Sequence, residues 1–291
     1  MRIVPLLFPT DLGHDPDRGP TGLRGAPDTL LDYLEDHGVR FARPIALEVP
    51  KASDAPARLR ATLQAAQKLA EAVASTNDAG DFPLVLGGDH TALLGHALGH
   101  ALRHPEGFGL AVLADAQVDL DPLDAEGAPV QTAVLGAILG RDPPGGALGA
   151  ALSGVRVPSD WVTVAGVRRG SDAGVAPRAA GLDVWTLERL ELDGESAYRS
   201  TLERHLARGP IALSIDARGL DSHLLEAVND PAGDGLDWPF LKRSLEQCLR
   251  HRDRLLGLDV CELDPGQGSP QSPGLDRFAE TLASFLRKLA R

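Results

Sequence analysis

Acidic residues that follow short apolar runs concentrate the chemistry of this chain. Leu113-Ala114-Asp115-Ala116-Gln117-Val118-Asp119 ends an apolar stretch in two carboxylates four positions apart. His90 closes Leu86-Gly87-Gly88-Asp89-His90, Asp216 follows Ile211 to Ile215, and Glu262 and Asp264 follow Leu255 to Cys261. A carboxylate at the end of a buried segment is costly unless it is paired or bound to a metal. One imidazole with several carboxylates makes an oxygen-rich ligand set carrying one nitrogen, suited to Mn²⁺ and similar divalent ions. Without a cation such a cluster repels itself. Plainer readings exist for each member: His90 as a helix-start residue after two glycines, and Asp115, Asp119 and Asp216 as turn or cap residues.

These residues can meet only if the apolar runs lie side by side. Residues 2 to 8, 43 to 49, 82 to 86, 108 to 114, 161 to 167, 182 to 185, 211 to 215 and 255 to 261 read as strands, several of them apolar throughout as a strand covered on both faces would be. Helices are expected between them: from Pro27-Asp28 to before Gly38, from Pro56 with Leu59, Leu63, Ala66, Ala70 and Val73 in helical register, after His90, over 130 to 139, 196 to 208 and 239 to 250, and at the end with Phe278, Leu282, Phe285 and Leu289 on one face. Asp237-Trp238-Pro239 supplies a cap residue and an early proline for the helix it precedes. Strand and helix alternate through the whole length, which predicts one α/β domain over residues 1–291 around a mainly parallel sheet. In open parallel sheets, ligands collect beyond the carboxyl ends of the strands, where the acidic residues stand. Pro143-Pro144-Gly145-Gly146 reads as a surface loop. Gly145, Gly146 and Gly149 follow a helix, so a dinucleotide loop is a poor reading. His96, His100 and His104 recur every fourth residue without the glutamate of a metalloprotease helix, and read as a solvated face near a helix C-terminus.

Composition narrows the partners. A net charge of -12 disfavours nucleic acid and anionic membrane surfaces. Nothing approaches the roughly 18 consecutive apolar residues of a membrane span, and no basic segment with an apolar stretch opens the chain, so a cytoplasmic location is expected. Cys248 and Cys261 show no metal or disulfide spacing and read as core thiols.

The motifs resemble those of the ureohydrolase family of arginases, agmatinases and formimidoylglutamases. Leu86 to His90 is similar to the family's GGDH, Asp115 to Asp119 to DAHxD, Ser214-Ile215-Asp216-Ala217-Arg218-Gly219-Leu220-Asp221 to SxDxDxxDP, and Asp259-Val260-Cys261-Glu262-Leu263-Asp264-Pro265 to DxxExNP. Val164 to Arg168 resembles the family's IGxR strand and Gly22 to Pro27 its early glycine-proline loop. The resemblance implies a three-layer α/β/α sandwich around about eight strands, trimers or hexamers, and a two-manganese centre that activates water toward a guanidino or formimidoyl carbon. It implies His90, Asp115, Asp119 and Asp216 as ligands of the first metal. The second would share Asp115 and Asp216 and would require His at 117 and Asp at 218.

Here those positions hold Gln117 and Arg218. Gln offers a weak neutral oxygen, and Arg is permanently cationic and cannot be a ligand. One metal is therefore expected, with the second absent. Charge balance agrees: three carboxylates are offset by one arginine and one dication. With Asp216 on a strand, Arg218 two residues on should share its side, so that its guanidinium takes the second metal's place and bridges carboxylates bidentately. Glu126 stands where the family carries a proton-transferring His. Glu126 and Asp115 are the expected catalytic residues, and Glu262 matches the carboxylate that receives a cationic substrate group. Three functions fit: a one-metal hydrolase of a linear C–N bond in a guanidino or amidino compound, a non-catalytic member that binds a small cationic ligand or a partner subunit, and a single-metal deacetylase, the weakest because it needs the lost position.

Overall fold

The structure is a computed structural model that describes residues 1–14, 21–121, 129–141, 147–168, 181–267 and 272–291. Eight strands form its sheet: β1 (Ile3–Phe8), β2 (Ile45–Ala46), β3 (Phe82–Gly87), β4 (Gly109–Ala114), β5 (Val162–Val167), β6 (Asp183–Thr186), β7 (Ile211–Asp216) and β8 (Leu255–Cys261). They lie in the order β2-β1-β3-β8-β7-β4-β5-β6, and all pairs are parallel. After β3 the chain passes over two strand positions to reach β4, and the two last strands fill that gap. The four central strands β3, β8, β7 and β4 therefore bring the termini that carry His90, Glu262, Asp216 and Asp115 next to one another. This is the switch in strand order where parallel sheets bind ligands.

Helices cover both faces. On one side, α1 (Ala26–Asp36), α7 (Glu195–Arg208), α8 (Trp238–Cys248) and α9 (Pro273–Leu289) bury Leu34, Leu202, Leu245, Phe278 and Phe285 against Leu86, Leu113, Ile215 and Val260. On the other, α2 (Ala55–Asp78) packs with Leu6 and Val85, while α3 (Ala92–Ala101), α4 (Val134–Ile138) and α5 (Ala147–Ala151) pack with Leu110, Val112 and Val164. The short α6 (Leu187–Asp193) precedes α7. The result is the three-layer α/β/α arrangement. Side chains of Asp54, Thr186, Asp237 and Ser272 accept hydrogen bonds from backbone N–H groups at the starts of α2, α6, α8 and α9, so each boundary is chemically marked. Both cysteines are buried and free, as core thiols would be.

Two expectations change. The strand expected over 43–49 shrinks to Ile45–Ala46, both exposed, at the sheet edge; Pro44 withholds a ladder donor within that span. His96 and His100 are not a solvated face: both are fully buried where α3 meets β8. Burial, together with the neighbouring imidazoles of His96 and His104, holds His100 well below the ordinary histidine pKa, so a stabilised imidazolium is the wrong account for it. His104 is the one partly exposed member, beside Glu106. The Pro143 to Gly146 loop lies outside the described residues.

The turn after β3 is set by close backbone approach. A Cβ at Gly88 would stand 1.8 Å from the Thr10 carbonyl oxygen and 2.9 Å from that of Leu23. Gly88→Ala should therefore lower stability by about 2 kcal/mol or more through overpacking against rigid backbone, read as a drop in the urea midpoint; an unchanged midpoint would contradict the packing described.

Candidate metal centre

The β3–α3 turn aims His90 inward. The Gly88 N–H donates to the Phe8 carbonyl (3.0 Å), the Asp89 N–H to that of Thr10 (3.1 Å), and the Asp89 carboxylate accepts from the Gly13 N–H (2.6 Å). The His90 N–H donates to Glu262 Oε1 at 2.8 Å, which ties the end of β8 to the same turn. His90 Nδ1 then lies 2.8 Å from Asp119 Oδ2 and 3.6 Å from both Asp115 Oδ2 and Asp216 Oδ2. All four side chains are buried. Asp115 is anchored by its N–H donating to Ala165 O (2.8 Å), and its Oδ1 accepts from the Gln117 N–H (3.0 Å). Asp119 has φ 47 and Glu262 φ 65, a left-handed backbone rarely adopted by non-glycine residues and concentrated at functional sites.

This arrangement suits a divalent ion. Octahedral coordination at about 2.1 Å places adjacent donor atoms about 3 Å apart, close to the spacing of the aspartate oxygens from His90 Nδ1. Asp119 Oδ1 is buried and has no hydrogen-bond partner among the described residues, leaving an acceptor that a cation would satisfy. Among the described residues, His90, Asp115 and Asp119 also form a ligand group whose atoms lie within 4.8 Å of one another.

Two further side chains border this group. Gln117 is exposed, and Arg218 is buried with its guanidinium on Asp216: Nη2 donates to Oδ2 at 2.6 Å and Nε reaches Oδ2 at 3.0 Å. Arg218 comes from a 3₁₀ turn, Ala217–Gly219, and not from continued strand alternation, because β7 stops at Asp216. The guanidinium hydrogen-bonds Asp216 in a two-pronged grip and forms a looser ion pair with Glu262, whose Oε2 lies 3.7 Å from Nε. The turn is braced: a Cβ on Gly219 would stand 2.3 Å from the Asp115 nitrogen.

Electrostatics follow the geometry. Burial opposes charge on His90, yet Asp115, Asp119 and Asp216 together raise its pKa well above the ordinary imidazole value. Asp115 is pushed well up by burial and by repulsion from Asp216. Burial would raise Asp216 too, but Arg218 and His90 hold it below the usual range. Glu262 is pushed up to about 7 by burial, against the pull of Arg218.

Of the residues singled out by sequence, His90, Asp115, Asp119, Asp216, Arg218 and Glu262 meet here. Gln117 sits at the rim, and Glu126 lies outside the described residues. Asn229 was not foreseen: its amide donates to Glu262 Oε2 at 3.0 Å and lies 3.4 Å from His14 Nδ1. Asn229-Asp230-Pro231 reads in sequence as an ordinary turn, and only burial distinguishes it.

A folded carboxyl titrating near 7 against an ordinary 4.5 keeps its proton where the unfolded chain has lost it. Glu262 therefore makes stability fall as pH rises from about 4.5 through about 7. In chelator-treated protein, urea unfolding at pH 5 and 7.5 should show a larger loss in wild type than in Glu262→Gln; equal losses would contradict the buried carboxyl described.

Comparison with known proteins supports the same fold. An arginase from Brevibacillus brevis is 30% identical over 277 residues, covering 88% of this chain and 88% of that protein. A formimidoylglutamase from Nocardia farcinica is 28% identical, covering 97% and 84%. The crystal structure of native arginase from Bacillus caldovelox superposes with a TM-score of 0.84 at 22% identity, covering 98% of both chains, and shares the fold. The family model described as Arginase family matches residues 5–288, nearly the whole chain, and the protein belongs to that family.

Proposed function

We propose that this protein is a divergent ureohydrolase that holds one divalent ion of the Mn²⁺ type on His90, Asp115, Asp119 and Asp216, and at most hydrolyses a linear C–N bond in a guanidino or amidino compound. The convergence of three aspartate oxygens on His90 Nδ1, with a guanidinium on Asp216 beside it, carries the reading. When bound, the ion supplies Lewis acidity toward water and substrate. Asp119 and Asp115 would help to hold it. Arg218 balances the charge of Asp216 and restrains that carboxylate, which would be a further ligand. Glu262 is the acceptor for a cationic substrate group, and Glu126 carries the proton that the departing amine requires.

One observation favours a second reading, a non-catalytic member that binds a small ligand or a partner subunit. Arg218 already presents a guanidinium to Glu262, and among the described residues that carboxylate also accepts from the His90 N–H and Asn229. A resident cation there competes with a substrate cation.

Metal analysis of purified protein should find one tightly bound ion per chain, and two would sink the one-metal reading. Gln117→His combined with Arg218→Asp should bind a second ion. Assays of urea, ammonia or formamide release from arginine, agmatine, guanidinobutyrate and formimidoylglutamate, with and without Mn²⁺, separate the two readings: turnover supports the hydrolase, and silence with one ion bound supports the binder.

A further inference from the structure

Coordination through Nδ1 requires the lone pair of that nitrogen, so His90 as a ligand carries its proton on Nε2. Nε2 is buried and has no hydrogen-bond partner among the described residues. Metal-bound histidines ordinarily donate this second N–H to a carboxylate or carbonyl, and loss of such a partner typically costs about 10–100-fold in metal affinity.

A carboxylate stands close by. His90, Asp259 and Cys261 offer ligand atoms that all lie within 4.8 Å of one another, and all three residues are buried. Nδ1 faces the three aspartates, so a hydrogen bond from His90 to Asp259 would have to use Nε2. Two other bonds hold Asp259 in place: Oδ1 accepts from Ser214 Oγ at 2.8 Å, and Oδ2 faces His96 Nδ1 at 2.7 Å. Cys261 is no substitute acceptor, because burial keeps it a thiol and its Sγ is directed to the Ile215 carbonyl. His96 is held where it is. Its ring meets His100 edge-on at 4.5 Å between centroids, His100 Nδ1 donates to Asn77 Oδ1 at 3.0 Å, and the Asn77 amide donates to Leu256 O at 3.0 Å. Gly257 makes room for both rings: a Cβ there would stand 2.7 Å from His96 Nε2 and 3.0 Å from His100 Nε2.

We propose that His96 competes with His90 for Asp259, and by winning leaves the metal-binding imidazole without its outer partner and weakens the hold on the ion. His96 is thus a positioning residue that acts on the site from the second turn of α3. The proposal rests on the ligand assignment above, and its test separates the two.

Calorimetric titration of Mn²⁺ into chelator-treated wild type, His96→Leu and His96→Asn reads affinity without any assay of turnover. Leucine removes the donor to Asp259 at similar volume, and asparagine retains one. His96→Leu should bind the ion about 10-fold more tightly than wild type, with His96→Asn within about threefold of wild type on the same scale. A wild type that binds while His96→Leu binds no better overturns the proposal alone. No binding by any of the three overturns the ligand assignment and the proposal with it. A crystal structure of the Mn²⁺-loaded wild type tests the same point without a variant. It should keep the His96–Asp259 bond with His90 Nε2 unpaired; a bond from His90 Nε2 to Asp259 would overturn the proposal.

Discussion

Three aspartates buried around one imidazole are the constraint on which the rest of this structure depends. Carboxylates removed from water repel one another and lose hydration, and neither cost is met unless positive charge lies among them. The fold meets it by bringing four strand ends together and by placing a histidine and an arginine in the gap. The order of the central strands, the tight turn at Gly88 and the brace of Gly219 against Asp115 all serve that placement.

Arg218 changes the character of the site more than the loss of a ligand would. A metal ion can leave and return with conditions, whereas a guanidinium tethered to the backbone is a permanent counter-charge. Its grip on Asp216 takes up lone pairs that a bridging carboxylate would otherwise share between two ions. The same cation lies nearest to Glu262, so the part of the pocket that would receive a substrate cation is already partly neutralised.

Much of this was legible in the chain. Strands appeared as apolar runs because all-parallel strands are covered on both faces, and the acidic residues stood out because each follows such a run. Three features were hidden for physical reasons. Arg218 enters the site, but from a 3₁₀ turn after β7 has ended, and local hydrogen bonding of Asp216 to the Arg218 N–H sets that path. His96 and His100 looked solvated because histidine spacing carries no sign of burial. Gly95 and Gly99 on the same helix were the available signal: added Cβ atoms there would strike α2, so the helix is packed on more than one side. Asn229 depends on a contact across 33 residues of chain, to Glu262, which no local pattern encodes.

The left-handed backbone at Asp119 has a consequence for how this site can drift. Aspartate, asparagine and glycine are among the few residues that accept such a φ at low cost, so backbone geometry itself narrows what can occupy the position. Folding alone therefore narrows the position to a short list that includes aspartate and asparagine, both of which keep an oxygen in the turn that follows β4. The corner acts as a mould set by backbone shape, from which a cation ligand can be lost and regained with few substitutions.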